Sequence, residues 1–261
     1  MLTPDLQKTF HITTATEQSN LFGIQGAPNS GKTHAALSFP NPLVLDFDKK
    51  LRPGVPCVPF WKPEFVDTLA PRKNPGLPNR RDALIKYLNT LAGKLPTNFT
   101  IIVDSWTRLQ DAFDQSAYIA PQQEYTDKEG TVNGFKVFRH KMDWSTQVLL
   151  ALMSLPHTVV ITFHEQVDRD EDGMPNGKTK PLMTGQFADK IAGYCSTMVR
   201  QDCTRDPKTG VPKWTWQVNQ DRRFNPVIHP GYKFPPELVH LDITNGAYEA
   251  FQKYRISPAT V

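Results

Sequence analysis

Cysteine is scarce in this sequence: Cys57, Cys195 and Cys203 are the only three, and no two stand in a C-x-x-C spacing. An odd count without paired spacing argues against a disulfide framework and against a cysteine-built zinc site, leaving reduced thiols. No apolar run reaches the length of a membrane span. Met1 to Asn20 is polar and lacks the apolar core of a secretory signal. These absences point to a cytoplasmic protein with no membrane partner. No internal repeat and no low-complexity tract is present, which sets aside solenoid and disordered classes. Neither sign of charge dominates, since 30 Lys and Arg against 26 Asp and Glu leave a net +4. So mild a balance permits a polyanionic partner without demanding one.

Proline is plentiful, with 23 residues. Much of it falls in connections (Pro53, Pro56, Pro59, Pro63, Pro71, Pro75, Pro78), where a fixed φ makes stiff extended loops. With 261 residues, 39% of them hydrophobic, the chain is long enough for one α/β domain with a full core. The expected organisation is an N-terminal extension over residues 1–18 and a single domain over 19–261.

The most informative stretch is Gly26-Ala27-Pro28-Asn29-Ser30-Gly31-Lys32-Thr33. It fits G-x-x-x-x-G-K-[ST], the phosphate-binding loop. The glycines allow backbone angles that turn successive N–H groups toward phosphate oxygens. Lys32 is placed to reach the β- and γ-phosphates, and the Thr33 hydroxyl to hold Mg²⁺. A helix beginning near Gly31 would aim its positive end at the nucleotide. Context agrees: Asn20 to Gln25 reads as a short apolar strand, and Thr33 to Ser38 as a helix stopped by Pro40. ATP and Mg²⁺ are the implied cofactors.

Three further segments read as buried strands. Pro42 to Asp48 ends in two acids, Phe99 to Asp104 ends in one, and His157 to His164 ends in an imidazole. Helical spacing covers Arg80 to Gly93, Trp106 to about Ile119 and Phe135 to Leu155. Glu165 to Thr184 reads as a polar loop, and Gly185 to Tyr194 as a short helix. Ser196 to Cys203 and Val211 to Val218 read as paired strands around the turn Asp206 to Gly210. The last forty residues are interrupted by proline and give no clear pattern. Buried strands alternating with helices indicate a mostly parallel sheet covered on both faces, with a C-terminal antiparallel hairpin. Ligands in such sheets sit at the carboxyl ends of the strands.

Asp104 suits the acid that holds Mg²⁺ opposite Thr33; the alternative is a cap on the helix that follows. The next residue is Ser105, so no base stands directly after it. Asp46 and Asp48 are two apart, which turns them the same way on an extended strand. Asp48 at the strand end is a candidate to orient and deprotonate water; the alternative is an acidic terminus paired with Lys49, Lys50 or Arg52.

This arrangement resembles the RecA-like P-loop ATPase core. In that family an acidic motif ends the strand after the phosphate loop, and the magnesium aspartate is often followed by Ser. A later strand ends in a polar sensor of the γ-phosphate. Thr158 to His164 looks like the sensor strand, with His164 or Glu165 where the family usually has Gln. Asp48 stands where recombinases carry Glu. The closer resemblance, over residues 18 to 228, is to short phage-encoded RecA-like proteins that act in single-strand annealing or recombination. They commonly have His near the end of the sensor strand, then a loop and a Gly-containing helix, as in Leu182-Met-Thr-Gly-Gln-Phe187.

The resemblance implies an ATPase acting on single-stranded DNA, with catalytic roles for Lys32, Asp48 and His164. It also implies a homo-oligomeric ring or filament, a single-strand-binding protein as a further partner, and host cytoplasm as the location. Two loops bind DNA in that family, and the segments in matching order are Ala120 to Lys141 and Asp168 to Thr184. In the first, Lys136, Arg139 and Lys141 alternate with aromatic residues, as strand binding requires; the alternative is a solvated helix face with core aromatics. In the second, the early acids repel phosphate, leaving Lys178 and Lys180. Arg222 and Arg223 are candidates to reach the γ-phosphate of a neighbouring subunit, or else ordinary surface arginines. A small-molecule kinase with Arg80 and Arg81, or Arg222 and Arg223, as its lid is one rival. A non-catalytic, nucleotide-gated annealing module is the other.

Overall fold

The computed structural model describes residues 20–62, 80–119, 126–185 and 187–256. The expected N-terminal extension lies outside these residues. Strands are β1 (Leu21–Gly26), β2 (Pro42–Asp46), β3 (Cys57–Pro59), β4 (Thr100–Asp104), β5 (Thr158–Arg169), β6 (Pro175–Pro181), β7 (Thr197–Arg205), β8 (Pro212–Gln217) and β9 (His240–Asp242). Helices are α1 (Lys32–Ala36), α2 (Arg80–Lys94), α3 (Trp106–Ile119), α4 (Gly134–Met153), α5 (Phe187–Lys190) and α6 (Ala247–Gln252).

The strands join in the order β3-β2-β4-β5-β1-β7-β8-β9, with β6 paired to β5 alone. Pairing is parallel from β3 through to β7 and antiparallel at β7-β8, β8-β9 and β5-β6. This is the expected α/β P-loop NTPase architecture: a mostly parallel central sheet flanked by helices, with antiparallel strands toward the C-terminus.

Every residue of β1 and β4 is buried, as strands covered on both faces must be. On one face Leu45, Ile101, Val103 and Ile161 share a core with Leu84 and Leu88 of α2, Trp106 of α3 and Val148 of α4. On the other, Ile24, Val44, Ile102 and Val160 pack with Ala35 and Ala36 of α1, Trp216 of β8 and Phe251 of α6. Register aligns the site: Gly26 pairs with His164 and with Gln201, and Asp46 pairs with Asp104. No helix among the described residues is long and apolar enough to cross a membrane.

Three segments depart from expectation. The polar loop over Glu165 to Thr184 is mostly a hairpin, because β5 runs on past His164 and turns back as β6. Its strands are polar on both faces and Val167 is exposed, so backbone pairing forms it without the apolar alternation that marks a half-buried strand. β3 hides in the proline-rich connection, where three residues suffice to extend an edge. β9 and α6 occupy the unread C-terminus, held by Leu241, Ala247 and Phe251 in the second core.

Candidate functional site

The phosphate loop joins the carboxyl end of β1 to α1. Two of its residues take positive φ, Asn29 at 63° and Gly31 at 88°, which turns backbone N–H groups inward. A side chain at Gly31 would also collide: its Cβ would sit 2.6 Å from Trp214 Nε1. At Gly26 a Cβ would lie 2.6 Å from the Gln201 carbonyl oxygen. Both motif glycines are therefore demanded by packing, and Gly31 by conformation as well. The loop is braced from β7, where Gln201 Nε2 donates to the Ser30 carbonyl (2.8 Å) and Gln201 Oε1 accepts from Trp216 Nε1 (3.0 Å). Because α1 has only five residues, its dipole is small, and the inward-turned loop amides are the main backbone donors an anion would meet.

Lys32 is buried, and its Nζ donates to the carbonyls of Gly26 (2.9 Å) and Ala27 (2.7 Å). Burial lowers its pKa to about 8, against the pull of Asp104, Glu165 and Asp48. Any phosphate arriving there would favour the charged form.

Asp104 is buried at the end of β4. Its Oδ2 accepts from Thr33 Oγ1 (2.8 Å) and its Oδ1 from Thr162 Oγ1 (2.6 Å). Capping falls to Ser105, whose Oγ accepts from Arg108 N at 3.4 Å. Burial pushes the Asp104 carboxyl above the usual range despite the two threonine hydrogen bonds. The Thr33 hydroxyl and Asp104 carboxylate are hard oxygen donors in contact, and they fit Mg²⁺. Among the described residues no group of three His, Cys, Asp or Glu could hold a metal, so phosphate and water would complete its shell. Thr162 was missed in the sequence, although a polar residue inside an apolar strand, two before His164, was a readable signal.

The two acids after β2 part company. The strand ends at Asp46, so alternation does not carry to Asp48. Asp46 is buried and accepts from Asp48 N (3.0 Å), Lys49 N (2.9 Å) and Trp61 Nε1 (2.9 Å). It holds the turn that presents Asp48. Asp48 accepts from Arg108 Nε (3.2 Å), and its Oδ2 lies 3.7 Å from His164 Nε2. Burial alone would raise the Asp48 pKa, but nearby His164, Lys50 and Arg108 outweigh it and hold the carboxyl below its ordinary value. The pairing with Lys49, Lys50 or Arg52 considered from sequence gives way to Arg108 and His164. Beside the pair opens a cleft of about 450 Å³, lined by Pro28, Lys50, Arg108, Lys141, His164 and Glu165.

Glu165 is engaged by Arg200, which donates from Nε (2.8 Å) and NH2 (3.1 Å) and also pairs with Asp202. With Glu165 engaged there, His164 is the one of the two sensor candidates that stands beside Asp48.

The outlying candidates scatter. Lys136 and Arg139 are exposed on the first turns of α4 beside Phe135 and Phe138, which are 89% and 45% exposed. Asn133 caps that helix, accepting from Phe135 N and Lys136 N. Lys141 is buried and lines the cleft, so it departs from the exposed basic face expected of it: it falls on the same helix face as the buried Val137 and Trp144, away from Lys136 and Arg139. Lys178 is exposed on β6. Lys180 is engaged by Asp168 (2.8 Å) and Asp189 (3.1 Å). Arg222 and Arg223 are exposed at the rim of a second cleft with Asp202, Asp221 and Lys213. The side chains of Arg80 and Arg81 and the segment 120–125 lie outside the described residues.

A family model described as an AAA domain matches residues 20–224, and all the residues of the site fall within it. A solved KaiC-like protein from the hyperthermophilic archaeon Pyrococcus horikoshii aligns at 10% identity and a TM-score of 0.42, covering 85% of this chain and 88% of that one. No curated protein matches the sequence. The chain belongs to this AAA domain family, and its core is that of a P-loop ATPase.

Proposed function

We propose that the protein binds ATP with Mg²⁺ on residues 26 to 33, hydrolyses it, and uses the nucleotide to control its hold on single-stranded DNA in recombination, annealing or repair. It works as a homo-oligomer, of the kind found among short phage-encoded annealing and recombination ATPases. The observation that carries the reading is the Asp48–His164 pair standing over the Thr33–Asp104 contact at adjacent strand ends.

Lys32 and the loop amides bind and orient the phosphates. Thr33 and Asp104 would hold Mg²⁺, which supplies charge neutralisation to the phosphates when bound. Asp48, kept ionised, orients a water and accepts its proton. His164, touching Asp48, responds to charge at the γ-position. Strand binding is supported by the exposed cations and rings of α4, where Lys136 and Arg139 would meet phosphates and Phe135 and Phe138 bases.

The test is ATP turnover by wild type and Asp48→Asn, with and without single-stranded DNA. DNA-stimulated turnover that disappears in the variant is the expected result. ATP bound without turnover in either condition would replace hydrolysis by a nucleotide-gated annealing module. A small-molecule kinase is the second reading, favoured by the cleft beside Asp48; it predicts ATP consumption only with an acceptor and indifference to DNA.

A further inference from the structure

We propose that Trp214, with His34 beside it, is the stacking platform for the nucleobase of the triphosphate held by the phosphate loop. The inference rests on the nucleotide-binding reading above and deepens it.

The loop has a direction. Lys32, the Thr33–Asp104 contact and the Asp48–His164 pair all lie toward β4, β5 and β2, so they mark the γ-phosphate end. The nucleoside must leave by the opposite side of β1, which is bordered by β7 and then β8. Trp214 stands there. It pairs across the ladder with Cys203, two residues beyond Gln201, which itself pairs with Gly26. Its indole edge rests on Gly31, close enough that a Cβ would lie 2.6 Å from Nε1 and 2.9 Å from Cδ1. His34, exposed on α1 just past the loop, sits with its ring centroid 5.8 Å from that of Trp214, tilted by 38°.

Trp216 shows what an ordinary core tryptophan looks like on the same strand face. It is fully buried among Phe22, Phe39 and Phe251. Trp214 lies at the solvent edge of that core and is only half-buried. Its backbone is pinned by the segment that follows β9, N donating to Thr244 Oγ1 (3.2 Å) and O accepting from Ile243 N (3.0 Å). A platform fixed in advance loses little freedom when a ligand arrives. Behind the rings the cleft measures only about 20 Å³, so a base stacks on them rather than entering. Stacking reads area more than base edges, and every base has a π-face. The site therefore takes ATP and GTP alike and holds pyrimidine nucleotides less well.

The experiment compares binding of ATP and of inorganic tripolyphosphate to wild type, Trp214→Ala and Trp214→Phe. Removing a base-stacking ring weakens ATP by roughly 5- to 150-fold. Tripolyphosphate, which has no base, should bind all three proteins equally, and that equality also shows the loop intact. Trp214→Phe should recover most of the ATP affinity. Equal weakening of both ligands would overturn the proposal by making Trp214 a prop for Gly31 alone, as would an unchanged ATP affinity in Trp214→Ala. Wild type that binds neither ligand would remove the nucleotide reading itself, and the platform with it.

Discussion

The carboxylate of Asp48 and the imidazole of His164 meet at 3.7 Å across the carboxyl end of β4, one carried by the turn after β2 and the other by β5. Asp104, at the end of β4, is thereby enclosed between a base candidate and a sensor candidate. No local pattern connects the two residues. The parallel strand order does, by setting β2 and β5 on either side of β4.

Asp48→Asn keeps the shape of the side chain and removes its charge. Turnover should fall by about 10²- to 10⁴-fold, the usual worth of a positioned base, while ATP affinity changes little. Because the folded-state pKa of Asp48 is depressed, its charge stabilises the fold above the ordinary carboxylate range, and that contribution is lost as pH falls through the depressed value. Arg108 is half exposed, so the stability lost in the variant at pH 7 is about 1 kcal/mol or less. Urea unfolding of both proteins at pH 7 and in acid checks this, and the gap should close in acid.

Lys32→Ala removes the one cation buried in the loop. ATP affinity should drop by roughly 10- to 150-fold per charge-assisted hydrogen bond lost, at about 1.5–3 kcal/mol each. Thr33→Ala should retain metal-free nucleotide binding and lose the gain that Mg²⁺ brings. Calorimetric titration with and without Mg²⁺ separates the two.

Gly31→Ala combines a forbidden φ with a collision against Trp214. Strain of about 1–3 kcal/mol should appear as a lowered Tm, with nucleotide affinity lost alongside. Gly93→Ala, at a helical glycine with open space around its Cβ, should leave Tm equal or slightly raised.

The strand-binding reading separates residues of like charge. Lys136→Ala and Arg139→Ala should each weaken single-stranded DNA binding and lower the salt slope by about 0.7. Lys180→Ala should do neither, since Asp168 and Asp189 already occupy that ammonium. Equal effects at all three positions would contradict the placement.

Cysteine reactivity gives a check on the fold alone. Cys57 and Cys203 are exposed, whereas Cys195 is buried and its thiol is pushed up to about 12. A thiol reagent should label two cysteines in the native protein and three after denaturation.

Much of the core was legible because buried strands and amphipathic helices announce themselves by period. β1, β2, β4, the buried first half of β5 and α2 to α4 fall within a few residues of where apolar spacing puts them. The β5-β6 hairpin was not legible, since polar strands solvated on both faces leave no period to read. Asp46 and Asp48 looked equivalent because alternation assumes a strand that continues; here it stops at Asp46, and one acid goes to hold the turn that displays the other.

The sequence by itself determined the phosphate loop, because its function resides in consecutive backbone amides, one lysine and one hydroxyl. It also determined the strand-end acids, since an acid closing an apolar run has few other uses. Only the tertiary structure decided which groups they meet. Thr162 on Asp104, Arg108 and His164 on Asp48, and Trp214 on Gly31 are contacts between distant segments. They depend on strand order and register, which hydrogen bonding across the sheet sets and no window along the chain contains.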